Sequence, residues 1–142
     1  MHTEPTDPPY VSTRQRVLVA DDHGELRQLW RAYLTLSGFV VSEAADGAEA
    51  VAKAVQESPA VVLMDFRMPG MDGAVAARTL KGDPRTAAIP VIGLTAHGTA
   101  ASLQDFQSVC DVVLEKPLSP EAVLEALRRV LPRRSPDEPP PP

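Results

Sequence analysis

Cysteine is almost absent: Cys110 stands alone in 142 residues, so no internal disulfide can form, and the chain suits a reducing compartment. Long apolar runs are missing too. No stretch approaches the roughly 20 residues needed to span a bilayer. The opening MHTEPTDPPY lacks the apolar centre of a secretory signal, so a cytoplasmic protein without membrane insertion is expected. Positive charge is scarce. Fourteen Lys and Arg stand against nineteen Asp and Glu, and a net charge of -5 leaves no basic stripe to displace counterions from nucleic acid. The one basic cluster, Arg128, Arg129, Arg133 and Arg134, reads as a solvated helix end that favours the macrodipole. No G-x-G-x-x-G follows the first apolar run, which removes dinucleotide binding.

What is present is enough for one domain with a core, since 44% of the residues are hydrophobic. The fifteen prolines crowd towards the ends. Residues 1–15 and 132–142 therefore read as Pro-rich arms that bury too little surface to offset their ordering entropy, around a domain at 16–131. Within that domain four short β-branched runs predict strands at Val17–Ala20, Val61–Met64, Val91–Leu94 and Val112–Leu114, with a weaker one at Phe39–Ser42. Helical spacing fills the gaps. Leu26, Leu29, Trp30, Tyr33 and Leu34 form an apolar stripe ending at Gly38, a left-handed cap. Ala48, Val51, Ala52 and Val55 mark a second helix, Ala74 to Leu80 a third, Thr99 to Ser108 a fourth, and Val123, Leu124, Leu127 and Val130 a fifth. Five alternations with near-continuous apolar strands predict an α/β fold, a five-stranded parallel sheet with helices on both faces.

In such a sheet ligands bind beyond the carboxyl ends of the strands. The first strand runs into Asp21-Asp22, the third into Asp65, the fourth into Thr95-Ala96 and the fifth into Glu115-Lys116-Pro117. Carboxylate oxygens suit Mg²⁺, a carboxylate can attack phosphorus, and a hydroxyl and an ammonium can hold the transferred oxygens. Each residue also has a purely structural use. Asp22 and Glu25 have the spacing of a helix-capping pair, Thr95 could cap the next helix, Lys116 could face solvent, and Asp65 could open the turn before Pro69-Gly70. None of these uses requires the polar groups to gather at one edge of one sheet.

The segments VLVADD (Val17 to Asp22), VVLMDFRMPGMDG (Val61 to Gly73), VIGLTA (Val91 to Ala96) and EKPL (Glu115 to Leu118) together resemble the receiver domains of bacterial two-component response regulators. The resemblance runs from about Arg16 to Leu131 and implies the flavodoxin-like (βα)5 receiver fold. It implies that Asp65 is the phosphoacceptor, charged by a histidine kinase or a histidine phosphotransfer protein. By the same resemblance Mg²⁺ or Mn²⁺ is held by Asp22, by Asp21, by Asp65 and by the backbone carbonyl of Arg67. Thr95 would bond the phosphoryl group, Lys116 would pair with it, and the Lys116-Pro117 bond would be cis. Arg67 and His97 occupy the positions that tune phosphoryl lifetime, and Arg67 is expected to shield the group from water.

The chain departs from that pattern at Val113, where receivers carry an aromatic switch residue, and at Val109-Cys110-Asp111, where a glycine is usual. Cys110 reads as a small core residue. The leading expectation is a single-domain response regulator that signals through, or relays to, an unidentified partner protein. The same fold used as an interaction module without phosphorylation is the second. An aspartyl-phosphate hydrolase of the haloacid dehalogenase type is the third, and it lacks the second acid it needs two residues after Asp65, where Arg67 stands.

Overall fold

The computed structural model describes residues 15–96 and 101–131. Ten elements alternate along the chain: β1 (Arg16–Ala20), α1 (Gly24–Leu36), β2 (Val40–Ala44), α2 (Gly47–Glu57), β3 (Val61–Asp65), α3 (Gly73–Gly82), β4 (Val91–Thr95), α4 (Ala101–Val109), β5 (Val112–Glu115) and α5 (Pro120–Val130). The strands form one parallel sheet in the order β2-β1-β3-β4-β5. The expected α/β class and receiver topology are both realised.

β3 and β4 are buried along their whole length, because helices cover the sheet on both faces. On one face Val62, Met64 and Val91 pack under Ala50 and Ala54 of α2, Ala77 and Leu80 of α3, and Phe106 of α4. On the other, Val19, Leu63, Ile92 and Leu94 pack under Trp30 and Leu34 of α1 and Val123 and Leu127 of α5. Trp30 and Tyr33 meet edge to face with ring centroids 6.3 Å apart, as their place on the α1 stripe predicts. Among the described residues, side chains cap three helices. Asp46 accepts from Glu49 N, Asp72 from Val75 N and Ser119 from Ala122 N, the last with Pro120 in the first turn as expected. Gly38 takes φ 101° after α1.

Four local expectations need correction. β2 is Val40–Ala44 rather than Phe39–Ser42; Phe39 is instead a buried plug between α1 and the strand, so its apolarity marks core and not strand. Leu29 is 66% exposed, because the inward face of α1 is the narrower one carrying Trp30 and Leu34. On α2 the buried face is Gly47, Ala50 and Ala54, while Ala48 and Ala52 are exposed. An alanine-rich helix gives little contrast from which to choose the face. Asp22 and Glu25 do not form a capping pair: the N-cap of α1 is His23, whose own side chain makes no capping hydrogen bond.

α4 is described over Ala101–Val109. Its Phe106 lies directly over Gly93 of β4. A Cβ on that glycine would fall 2.6 Å from the ring and 2.9 Å from Cys110 Sγ. The missing side chain of β4 is thus what lets a large aromatic seat α4 on the sheet. Cys110 packs against the same cluster, and burial pushes its thiol up to about 12, so it behaves as the small core residue the sequence suggested.

Candidate functional site

β1, β3 and β4 are adjacent and parallel, so their carboxyl ends share one edge. Ala20 is level with Met64, which puts Asp21 beside Asp65; Asp65 is level with Leu94, and Thr95 with Glu115. Asp21, Asp22 and Asp65 each bring a carboxylate oxygen to within 4.8 Å of the others. Lys116 Nζ donates to Asp65 Oδ1 at 3.0 Å, and its backbone N–H donates to Thr95 O at 2.7 Å. The bond from Lys116 to Pro117 is cis. Four polar side chains from three strand ends therefore gather in one place, and the end of β4 is tied to them through the Thr95 carbonyl.

The electrostatics are lopsided. Asp65 is only 5% exposed. That burial pushes its carboxyl above the ordinary aspartate range; the Lys116 hydrogen bond and charge pull it back, and the negative charges of Asp21 and Asp22 raise it again. Asp21 is also buried. Its Oδ1 accepts from His23 N at 2.8 Å, while its Oδ2 has no hydrogen-bond partner among the described residues. A buried carboxylate oxygen without a partner costs free energy unless something positive comes to it. Three converging carboxylates with one orphaned oxygen form the all-oxygen donor set that a hard divalent cation takes, so Mg²⁺ or Mn²⁺ fits these residues.

The neighbourhood is shaped by a glycine that the sequence reading gave no role. A Cβ on Gly73 would sit 2.4 Å from Asp65 O and 2.8 Å from Phe66 Cα, so only glycine lets the start of α3 close against the strand end. Its amide donates to Phe66 O at 2.8 Å. The signal was the Asp72-Gly73 pair closing the quoted motif.

Arg67 lies exposed in the loop two residues beyond Asp65. Val113 is half-buried on β5, opposite Gly93. His97 lies outside the described residues.

The model of the response regulator receiver domain family matches residues 17–128. The chain belongs to that family. This receiver is 36% identical over 121 residues to the transcriptional regulatory protein ResD of Bacillus subtilis, covering 84% of this chain and 49% of ResD. The receiver therefore spans about half the length of that curated relative. Among solved structures, the chemotaxis response regulator CheY4 of Vibrio cholerae matches with a TM-score of 0.76 and 33% identity, over 83% of this receiver and 99% of that chain. The receiver domain of the sensor histidine kinase PA1611 from Pseudomonas aeruginosa PAO1 matches with a TM-score of 0.76 and 27% identity, over 82% and 97% of the two chains. That structure has a magnesium ion coordinated in its active-site cleft. Among the described residues no helix of this receiver is long and apolar enough to cross a membrane.

Proposed function

We propose that the protein is a phosphorylation switch in which Asp65 accepts a phosphoryl group from a phosphohistidine on a histidine kinase or histidine phosphotransfer protein. The observation that carries this reading is the convergence of Asp21, Asp22 and Asp65 within 4.8 Å, with Lys116 bonded to Asp65, itself buried. With Oδ1 held by Lys116, Oδ2 of Asp65 is the oxygen assigned to attack. It forms a bond to phosphorus as the P–N bond to the donor histidine breaks, and the imidazole leaves with that electron pair.

Asp22, Asp21 and Asp65, with the backbone carbonyl of Arg67, are the residues assigned to hold Mg²⁺ or Mn²⁺. When bound, the cation neutralises the carboxylates and the charge on the transferred phosphoryl oxygens. Lys116 stands where a phosphoryl oxygen on Asp65 would need a counter-charge. Thr95 offers its hydroxyl from the adjoining strand end. Arg67 is kept as the side chain that shields the product from water, and His97 keeps the paired position assigned by resemblance.

The signalling unit is taken as residues 16–131, with the Pro-rich stretches 1–15 and 132–142 as arms. It acts through a downstream partner protein or in a relay, in the cytoplasm and without nucleic acid.

Intact mass after incubation with Mg²⁺ and a small-molecule phosphodonor tests the reading. One phosphoryl adduct is expected, absent in EDTA and absent in Asp65→Asn. No adduct under any condition would transfer the assignment to a phosphorylation-independent interaction module, the reading that the valine at position 113 favours.

A further inference from the structure

Arg27 and Glu43 have no part in the chemistry above, yet they reach the acidic edge. Arg27 lies on the first turns of α1 and is largely covered. Its Nη1 donates to the backbone carbonyl oxygen of Asp21 at 2.6 Å, and its Nε donates to Glu43 Oε1 at 2.8 Å. Glu43, on β2, is held in turn. Its Oε2 accepts from Arg31 Nη1 at 2.8 Å, and its backbone carbonyl accepts from Lys53 Nζ of α2.

Asp21 is gripped on three sides as a result. Its N–H donates to Ala44 O at 3.0 Å, its Oδ1 accepts from His23 N, and its carbonyl accepts from Arg27. Fixing that carbonyl fixes the plane of the peptide joining Asp21 to Asp22, because the peptide unit is rigid. The direction in which both carboxylates leave the backbone is fixed with it.

We infer that Arg27, anchored by Glu43, is a positioning residue for the divalent cation: it sets the Asp21–Asp22 peptide so that the two carboxylates converge with Asp65. This rests on the metal-site reading of the same edge. Glu43 has a second task, which is to occupy the guanidinium. A free arginine beside three carboxylates would fold onto them and compete with the cation, whereas here its Nε is held by Glu43 and its Nη1 by a carbonyl oxygen.

The inference has a sign that charge alone would reverse. Removing a cation from the edge of a cation site should tighten metal binding by simple Coulomb attraction. Removing a positioning group from behind a ligand loosens it, typically by 10- to 100-fold.

The test is calorimetric titration of the full chain with Mg²⁺, repeated with Mn²⁺ followed by electron paramagnetic resonance, beside thermal melts in EDTA. Arg27→Ala is expected to raise Kd about tenfold or more. Arg27→Lys keeps the charge but cannot serve Glu43 and the Asp21 carbonyl as a fork, so it should weaken binding too. Glu43→Gln should do the same by releasing the guanidinium, and these two variants carry the test if Arg27→Ala does not fold. An unchanged or tighter Kd in the folded variants, even with a lower melting temperature in EDTA, overturns the inference and makes Arg27 merely structural. If the unaltered chain binds neither ion, the metal-site reading is overturned and the inference falls with it.

Discussion

At the amino end of the sheet Lys81 of α3 meets Asp111, the residue before β5; at the carboxyl end Lys116 meets Asp65. The two pairs have the same length, 3.0 Å, and opposite surroundings. Lys81 also donates to Ile89 O at 2.9 Å, and Asp111 Oδ2 also accepts from Val91 N at 2.8 Å. Charges and backbone groups there satisfy one another, and the network ties α3, β4 and β5 together. Around Lys116 and Asp65 the account does not balance, because Asp21 and Asp22 add negative charge and Asp21 Oδ2 is left without a partner among the described residues. A closed polar network is a fastener. An open one carries an excess of negative charge, which the proposed function answers with a cation.

The largest effect expected from this contrast is stabilisation by Mg²⁺. A ligand that binds only the folded state at a hundred times its Kd adds about 2.7 kcal/mol, and urea unfolding with and without EDTA should show it. Asp22→Asn should erase most of that gain, whereas Asp111→Ala should leave it whole. An equal loss in both variants would mean the two ends are not distinct.

Next in size is the fastener itself. Asp111→Ala leaves Val91 N–H and Lys81 without their shared acceptor, and an unmet buried donor costs roughly 1–3 kcal/mol. The urea midpoint in EDTA should fall accordingly, with the phosphoryl adduct still formed. A variant that folds as well as the parent would show that solvent replaces Asp111 without loss.

The carboxyl edge was legible in the sequence because its residues had to be polar where strands end, and that breaks an apolar run visibly. Asp21, Asp65, Thr95 and Lys116 all announce themselves this way. The amino-end network was not legible, since Lys81 and Asp111 are thirty positions apart and sit in segments where charged residues are ordinary. Arg27 was hidden for a related reason: its contact is with a backbone carbonyl, which leaves no trace in residue type. The alternating topology followed from β-branched runs, while the inward face of α2 did not follow from a helix made mostly of alanine. The seat of α4 depended on Gly93 and Phe106 meeting across thirteen residues, and neither residue hints at the other.

The smallest and most discriminating effect is in pH. Burial raises the Asp65 carboxyl, Lys116 opposes that, and Asp21 and Asp22 add to it, so the folded chain without metal holds this proton more tightly than the unfolded chain does. A group raised in the folded state contributes stability that is fully present below its unfolded value and is lost as pH rises through its folded value. Between the ordinary aspartate range and that raised value, the parent should therefore lose stability relative to Asp65→Asn, and the difference should level off above it. Glu43 works in the other direction. The Arg31 hydrogen bond, aided by Arg27, lowers its carboxyl, so its contribution is present above the ordinary glutamate range and lost as pH falls. A raw pH profile mixes the two, but subtracting the Asp65→Asn profile removes Glu43, which is common to both chains. Urea midpoints measured in EDTA across the acid range give that difference. A flat difference would mean that Lys116 already balances the burial of Asp65, and the excess of negative charge at the carboxyl edge would then rest on Asp21 and Asp22 alone.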